Sequence, residues 1–398
     1  MSQKIVIPNS QPELKRAQGI INILIWCLYA SINLLFIYKY GLRQNLINVY
    51  LLLFYYSSTL IFAYFLFTKD ILIIKSKFFY FTICALFLCF IIIINIYVDG
   101  NMLNVDRWSA MDVAIKALFN GDYPYTAIDH LNGRTSNLPS LLIIGIPFYL
   151  MGDVGYLQCF SFLLLSYTVF KVILNNTDRI FSILLLIGSP SYLWEIYVKS
   201  DLMSNIIIVL CFILLWHKRY SRKSFNNPLL LGFLSAFLSL TRVIVFIPLT
   251  LFLFKQFYHE SYKVKIKFMF SAILTLIIVS SIALINCPNI ETLRVFNPLE
   301  LQTRQAPVII HILSIILLIY FSFKIEGIND IINFSILLIL FPVLFSFLSA
   351  FIFSGFNNII YEHTFDLSYL GMVIPFIIYH ITNNSKDVLS MTTKTSML

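Results

Sequence analysis

The chain has 398 residues, of which 59% are hydrophobic and only 12% charged, with a formal net charge of +9 and a mean hydropathy of +0.85. A soluble domain carries about 25% charged residues, so this composition excludes a water-soluble globular protein. The basic excess lies in short segments between apolar runs, as the positive-inside rule expects, and this argues against a nucleic-acid partner.

Lys4, Lys15 and Arg16 precede the first apolar run, and no small-residue cleavage site follows, so the N-terminus reads as a retained anchor. Apolar runs then recur at 19–38, 46–67, 78–98, 154–174, 179–198, 201–217, 266–286, 306–323, 331–353 and 365–381. Each is long enough to approach the ~30 Å of a bilayer core as a helix. None alternates in hydropathy as a barrel strand does. Two further apolar segments do not read as simple crossings. Residues 138–151 are short and contain Pro139 and Pro147, which predicts a re-entrant or surface-lying hairpin. Residues 228–257 are interrupted by Thr241-Arg242 and by Pro248, which predicts a bent hairpin with Arg242 near its turn. The fold expected over 1–398 is a single all-α, polytopic integral membrane domain of about 10–12 transmembrane helices.

Charge sets the expected orientation. With the N-terminal cations inside, Lys69, Lys75 and Lys77, the run Lys218, Arg219, Arg222, Lys223, and the cluster Lys255, Lys263, Lys265, Lys267 also fall inside. Both termini are then cytoplasmic in a plasma or inner membrane, and the loops 99–153, 287–305 and 354–364 face out. Lys39 and Arg43 are exceptions: this threading leaves them outside. The six cysteines have no metal-ligand spacing and read as small hydrophobes.

The loop 99–153 is the expected catalytic region, since its first part carries Asp99, Asp106, Asp112, Asp122 and Asp129 between long apolar runs. Residues 107–119 predict an amphipathic helix lying on the membrane surface. Trp108, Met111, Ile115, Leu118 and Phe119 share one face, Asp112 and Lys116 form an i, i+4 pair, and Gly121 is placed to end the helix. Asp106 stands where an N-cap would. The same carboxylate suits a general base at the lipid boundary, or a ligand for a divalent metal. Arg134 suits a phosphate. Asp201 reads as an interfacial anchor or as the wall of a cavity. Arg242, costly inside an apolar segment, reads as half of an internal ion pair with an acid such as Asp201 or as a lipid-phosphate ligand. Arg294 and Arg304 in the third outer loop are further phosphate candidates. His363 and Asp366 read as polar residues at the start of the last span, or as ligands for a sugar or metal. No Gly-rich nucleotide loop and no Ser/His/Asp arrangement occurs.

The order of these motifs resembles the first outer loop of the GT-C superfamily of membrane glycosyltransferases. Asp106 precedes an aromatic-rich amphipathic helix, then Gly121-Asp-Tyr-Pro-Tyr125, then Leu138-Pro139 opening an apolar segment that ends at Met151-Gly152. Gly188-Ser189-Pro190, Lys199-Ser200-Asp201, Leu231-Gly232 and Thr241-Arg242 extend the likeness over roughly residues 79–255, nearest to the bacterial and mycobacterial mannosyltransferase-like branch. Many relatives carry Asp-x-Asp in this loop; here Asn104 stands in place of its first acid. The resemblance implies a hexosyltransferase of polysaccharide or cell-envelope biosynthesis. It would take a sugar from a polyprenyl-phosphate donor and pass it to a glycan or lipid acceptor at the outer face, with inversion and with Asp106 as base. Asp112, Asp122, Tyr125, Arg134, Asp201, Arg242, Arg294, Arg304 and His363 are the expected substrate-binding residues, and a divalent Mg2+ or Mn2+ is the one cofactor the chemistry admits. A repeat-unit polymerase of the O-antigen type and a lipid or polysaccharide flippase or transporter are the competing readings.

Overall fold

The computed structural model describes residues 11–44, 48–69, 74, 76–220, 223–304, 306–362 and 364–384; Lys4, Lys75, Arg222 and His363 lie outside the described residues. The described chain is helical: α1 (Gln11–Gln44), α2 (Val49–Thr68), α3 (Lys77–Tyr97), α4 (Arg107–Asn120), α5 (Pro139–Leu150), α6 (Leu157–Val172), α7 (Asn176–Ile187), α8 (Pro190–Tyr197), α9 (Leu202–Arg219), α10 (Pro228–Ser239), α11 (Phe246–His259), α12 (Tyr262–Leu284), α13 (Ile290–Val295), α14 (Pro298–Thr303), α15 (Val308–Lys324), α16 (Ile328–Tyr361), α17 (Ser368–Gly371) and α18 (Ile374–Asn384). Seven helices among the described residues are long and apolar enough to cross a bilayer, or nine if each of two bent pairs is one span. The chain is a multi-pass membrane protein, and the expected ten to twelve crossings are reached only by counting its short helices.

The differences have local causes. The span expected at 179–198 is broken by 59° between α7 and α8, where Gly188-Ser189 precedes Pro190 at the first position of α8. The span expected at 365–381 is the short α17 and the 11-residue α18, which packs against α1, α7, α9 and α16 with Phe376 and Ile377 fully buried. It is a core helix rather than a lipid-facing one. The loops expected at 287–305 and 354–364 are largely helical: α13 and α14 occupy the first, and in the second α16 breaks at Gly355 (φ 82°) and resumes to Tyr361.

Residues 138–151 form one 12-residue helix rather than a hairpin. Its first amides are satisfied from elsewhere. Leu138 and Ser140 donate their backbone N–H to the carbonyls of Thr241 and Leu240. Those carbonyls are freed because α10 stops at Ser239 and α11 starts at Phe246. Two interrupted segments thus complete each other's hydrogen bonds, as broken helices at membrane depth must. The interruption of 228–257 falls at 240–245, and Pro248 sits in the first turn of α11, where its missing N–H costs nothing. Phe225 and Phe257 meet at a centroid distance of 6.0 Å, so both ends of this V lie together and Arg242 lies at its apex, as the sequence predicts.

The helices have two chemically different ends. Asp201 and Lys218 mark the two ends of α9. Lys218, in the last turn of α9, bonds the Lys171 carbonyl, and Lys255 on α11 and Lys265 on α12 give their ammonium groups to the carbonyls of Ile325 and Tyr258. Around Asp201 lie Arg242, Asn137 and the acidic loop.

Candidate functional site

The acidic loop is built on α4. Gly121, at φ 78°, closes that helix in the left-handed conformation. Met111, Ala114 and Ile115 are buried, Met111 and Ile115 against Gly145 of α5, while Phe119 of the same apolar face stays exposed. At the other end of α4, Asp106 makes no capping hydrogen bond, and the backbone carbonyl rather than the carboxylate receives Ala110 N–H and Ser109 Oγ. The helix-cap role expected for this side chain is therefore not played.

Asp106 instead lines a cavity of about 890 Å³ at the acidic-loop end of the bundle. Burial pushes its carboxyl above the ordinary 3.8; Arg107 opposes this, and the neighbouring Asp129 adds to it. The two carboxylates face one another across Gly133. A Cβ at Gly133 would sit 2.6 Å from Asp129 Oδ2 and 3.3 Å from Asp106 Oδ2. Asp129 is buried; its Oδ1 accepts the backbone N–H of Leu131 and Gly133, and its Oδ2 has no partner. A second acid thus stands beside Asp106, supplied from 23 residues further along the chain rather than from the Asn104 position. The loop is held by His130, which bonds Ser109 Oγ at 2.6 Å and the Leu103 carbonyl at 2.7 Å.

Two ion pairs frame the cavity, one buried and the other partly exposed through Asp366. Arg242 donates from Nε (2.9 Å) and Nη2 (2.5 Å) to Asp201 Oδ2, and from Nη2 to Asn137 Oδ1 (2.9 Å). This is the internal pair expected for Arg242. Arg107 donates from Nη2 to Asp366 Oδ2 at 2.6 Å, while Ser368 N–H binds Asp366 Oδ1. Burial alone would raise the Asp366 carboxyl, but Arg107 holds it below the usual range. Gln302 ties the third loop to the same place by accepting Val243 N–H and donating to the Ser136 carbonyl.

Of the expected site residues, Asp106, Arg134, Asp201, Arg242 and Arg304 line the cavity. Asp112, Asp122, Tyr125 and Arg294 do not. Asp112 lies on the flank of α4 facing Asp153, and its carboxyl is raised by burial and by that acid. Asp122 and Arg294 are exposed. Tyr125 is buried edge-on against Tyr123 in a small apolar cluster with Ala283. Sequence reasoning missed Lys39, Tyr40, Arg43 and Arg107, which also line the cavity. Lys39 and Arg43 had a signal, as the cations that broke the charge asymmetry.

Among the described residues no three His, Cys, Asp or Glu side chains converge. Asp106 and Asp129 alone fit a hydrated divalent cation, since Mg2+ commonly takes one or two carboxylates together with waters and substrate oxygens.

A second cavity adjoins the first. It is an apolar groove of about 440 Å³ between α11, α15 and α16, lined by residues such as Ile247, Ile315 and Leu318, and it shares Arg242, Ser346 and Tyr369 with the polar cavity. Arg304 faces the polar side of this junction, and Thr303 and Gln302 face the groove. No family model, curated protein or solved structure matches this chain.

Proposed function

We propose that the protein is a membrane glycosyltransferase that moves a sugar from a polyprenyl-phosphate donor to an acceptor hydroxyl at the outer face of the membrane. The observation that carries this reading is the junction of a polar cavity holding a half-buried carboxylate with an apolar groove between helices. A long prenyl chain needs the groove, its phosphate needs a cation at the junction, and its sugar needs the polar chamber. Arg304 and Arg134 are the cations for that phosphate, and the Arg242–Asp201 pair forms the wall between chain and sugar.

Asp106 accepts the proton of the acceptor hydroxyl as that oxygen attacks the anomeric carbon. The bond from that carbon to the phosphate oxygen breaks, the bonding pair leaves with polyprenyl phosphate, and the configuration inverts. The leaving phosphate is already an anion stabilised by arginine, so no general acid is required. A divalent ion at Asp106 and Asp129 would supply further positive charge to the phosphate.

The test is release of polyprenyl phosphate by purified protein from a panel of undecaprenyl-phosphate sugars, with magnesium and with chelator. Consumption of one sugar in the presence of a glycan acceptor is the expected result. A folded protein that consumes none sinks the reading in favour of a polymerase or flippase. Gly133→Ala provides a finer check. Its Cβ has no room between the two carboxylates, so kcat falls about 10²-fold, the scale of a 1 Å misplacement, while the melting temperature stays near wild type.

A further inference from the structure

Among the described residues the polar cavity is lined by Lys39, Arg43, Arg107, Arg134, Arg242 and Arg304 against Asp106, Asp201 and Asp366. Arg107 and Arg242 are neutralised by Asp366 and Asp201. A polyprenyl-phosphate sugar is a phosphodiester with one negative charge, and Arg304 and Arg134 on the polar-cavity wall answer it. Lys39 and Arg43 are left over, on the last turns of α1. Lys39 is 2% exposed, and its ammonium donates to the Phe365 carbonyl at 2.6 Å. Arg43 donates to the Glu362 carbonyl at 2.8 Å. Neither lies within 4.0 Å of a carboxylate among the described residues. Lys39 is sealed from solvent with Asp366 in its field, so Arg43, on the more open last turn of α1, is the cation that an anion arriving from outside can reach.

Arg43 also lines a third chamber, whereas Lys39 lines the polar cavity alone. The third chamber has a volume of about 490 Å³ and shares Arg43, Asn104, Val105 and Trp194 with the polar cavity. It shares no lining residue with the apolar groove. Its other walls include Tyr197 and Tyr361, and Tyr40 stacks on Trp194 at 3.7 Å where the two spaces join. Flat amphipathic rings of this kind offer a face to a sugar and a polar edge to its hydroxyls. Asp106 follows directly after Asn104 and Val105, so a glycan in this chamber reaches the base without entering the groove.

We propose that this chamber admits the acceptor, and that the acceptor is an anionic glycan whose carboxylate or phosphoryl group is read by Arg43, where the chamber opens into the polar cavity. The inference rests on the transferase reading for its second substrate, but binding tests it without any transfer. The full-length protein in nanodiscs is titrated, with no donor present, with a glucuronosyl-glucose disaccharide, its methyl ester, the 6-phosphate of the parent disaccharide and the neutral parent, following calorimetric heat and Trp fluorescence. One or both of the acids bind at least about tenfold more tightly than the methyl ester and the neutral sugar, the gain of one charge-assisted contact. Which acid wins separates a uronate from a phosphorylated sugar. Arg43→Gln removes the preference and Arg43→Lys retains most of it. Equal binding of acid and ester by wild type overturns the proposal, as does failure of all four to bind. An Arg43→Gln protein that still prefers the acid overturns it too. If Arg43→Gln does not fold, the acid-to-ester ratio in wild type still decides. Acid-selective binding without transfer from any donor would discard the transferase reading and leave this site standing. Efficient transfer to neutral acceptors with no acid preference would do the reverse.

Discussion

Asp106→Asn is expected to abolish sugar transfer, lowering kcat by about 10²–10⁴-fold, the contribution of a positioned general base, while the protein folds as well as wild type. The second half of this expectation separates the two roles open to this residue. A capping aspartate holds the first turn of its helix, and its loss costs about 0.5–2 kcal/mol. Here the carboxylate makes no capping bond, and burial raises its pKa, so the ionised side chain is a burden on the fold near neutrality. Asn should therefore leave the melting temperature unchanged or slightly higher. A pH profile adds a sign. The base works only when ionised, so activity is lost as pH falls through the folded-state pKa, and the acid limb lies above the ordinary carboxylate value of 3.8. Asp129→Asn removes a like charge that helps to raise Asp106, so the limb should move to lower pH. Full activity in Asp106→Asn would assign the base elsewhere. A lower melting temperature with full activity would restore the helix-cap role.

The parts legible in the sequence are those set by local rules. Hydropathy located the long helices, Gly121 ended α4, and the breach at Thr241-Arg242 placed the apex of the V. An arginine in an apolar segment needs a partner, and that partner is Asp201. What could not be read were the long-range meetings. Asp129 reaches Asp106 through the fold of the 129–134 turn around Gly133. Lys39 and Arg43 come from α1, and Asp366 from the approach to α17, to a cavity whose base lies on α4. Pure hydropathy also misjudged α18, because a helix buried by its neighbours is as apolar as one facing lipid. Asp112, Asp122 and Arg294 lie off the cavity for a related reason: membership of a polar loop says nothing about which of its side chains face the cavity.

Arg242→Met is expected to be among the most destabilising single substitutions in the chain, by about 3–5 kcal/mol, the cost of stripping one partner from a buried ion pair. Asp201 would be left at 3% exposure without its cation, because its Oδ1 has no partner and its Oδ2 is held by the guanidinium. The same guanidinium bonds Asn137 and stands at the break where α5, α10 and α11 exchange hydrogen bonds. Losing it therefore loosens both the apex of the V and the wall between groove and cavity. Asp201→Asn should cost a comparable amount, since it leaves a cation in the same place. The double variant Asp201→Asn/Arg242→Met removes both charges and should recover much of the lost stability, because a buried pair contributes little over apolar or neutral groups of similar volume. Thermal unfolding of the four proteins in one detergent reads this directly. Additive losses in the double variant would mean that the two side chains act independently, and that the cavity wall is held by packing rather than by the ion pair. If the double variant recovers stability but not transfer, the pair is needed for the site beyond its part in the fold. That outcome would fit the reading of Arg242 as the wall between donor chain and sugar.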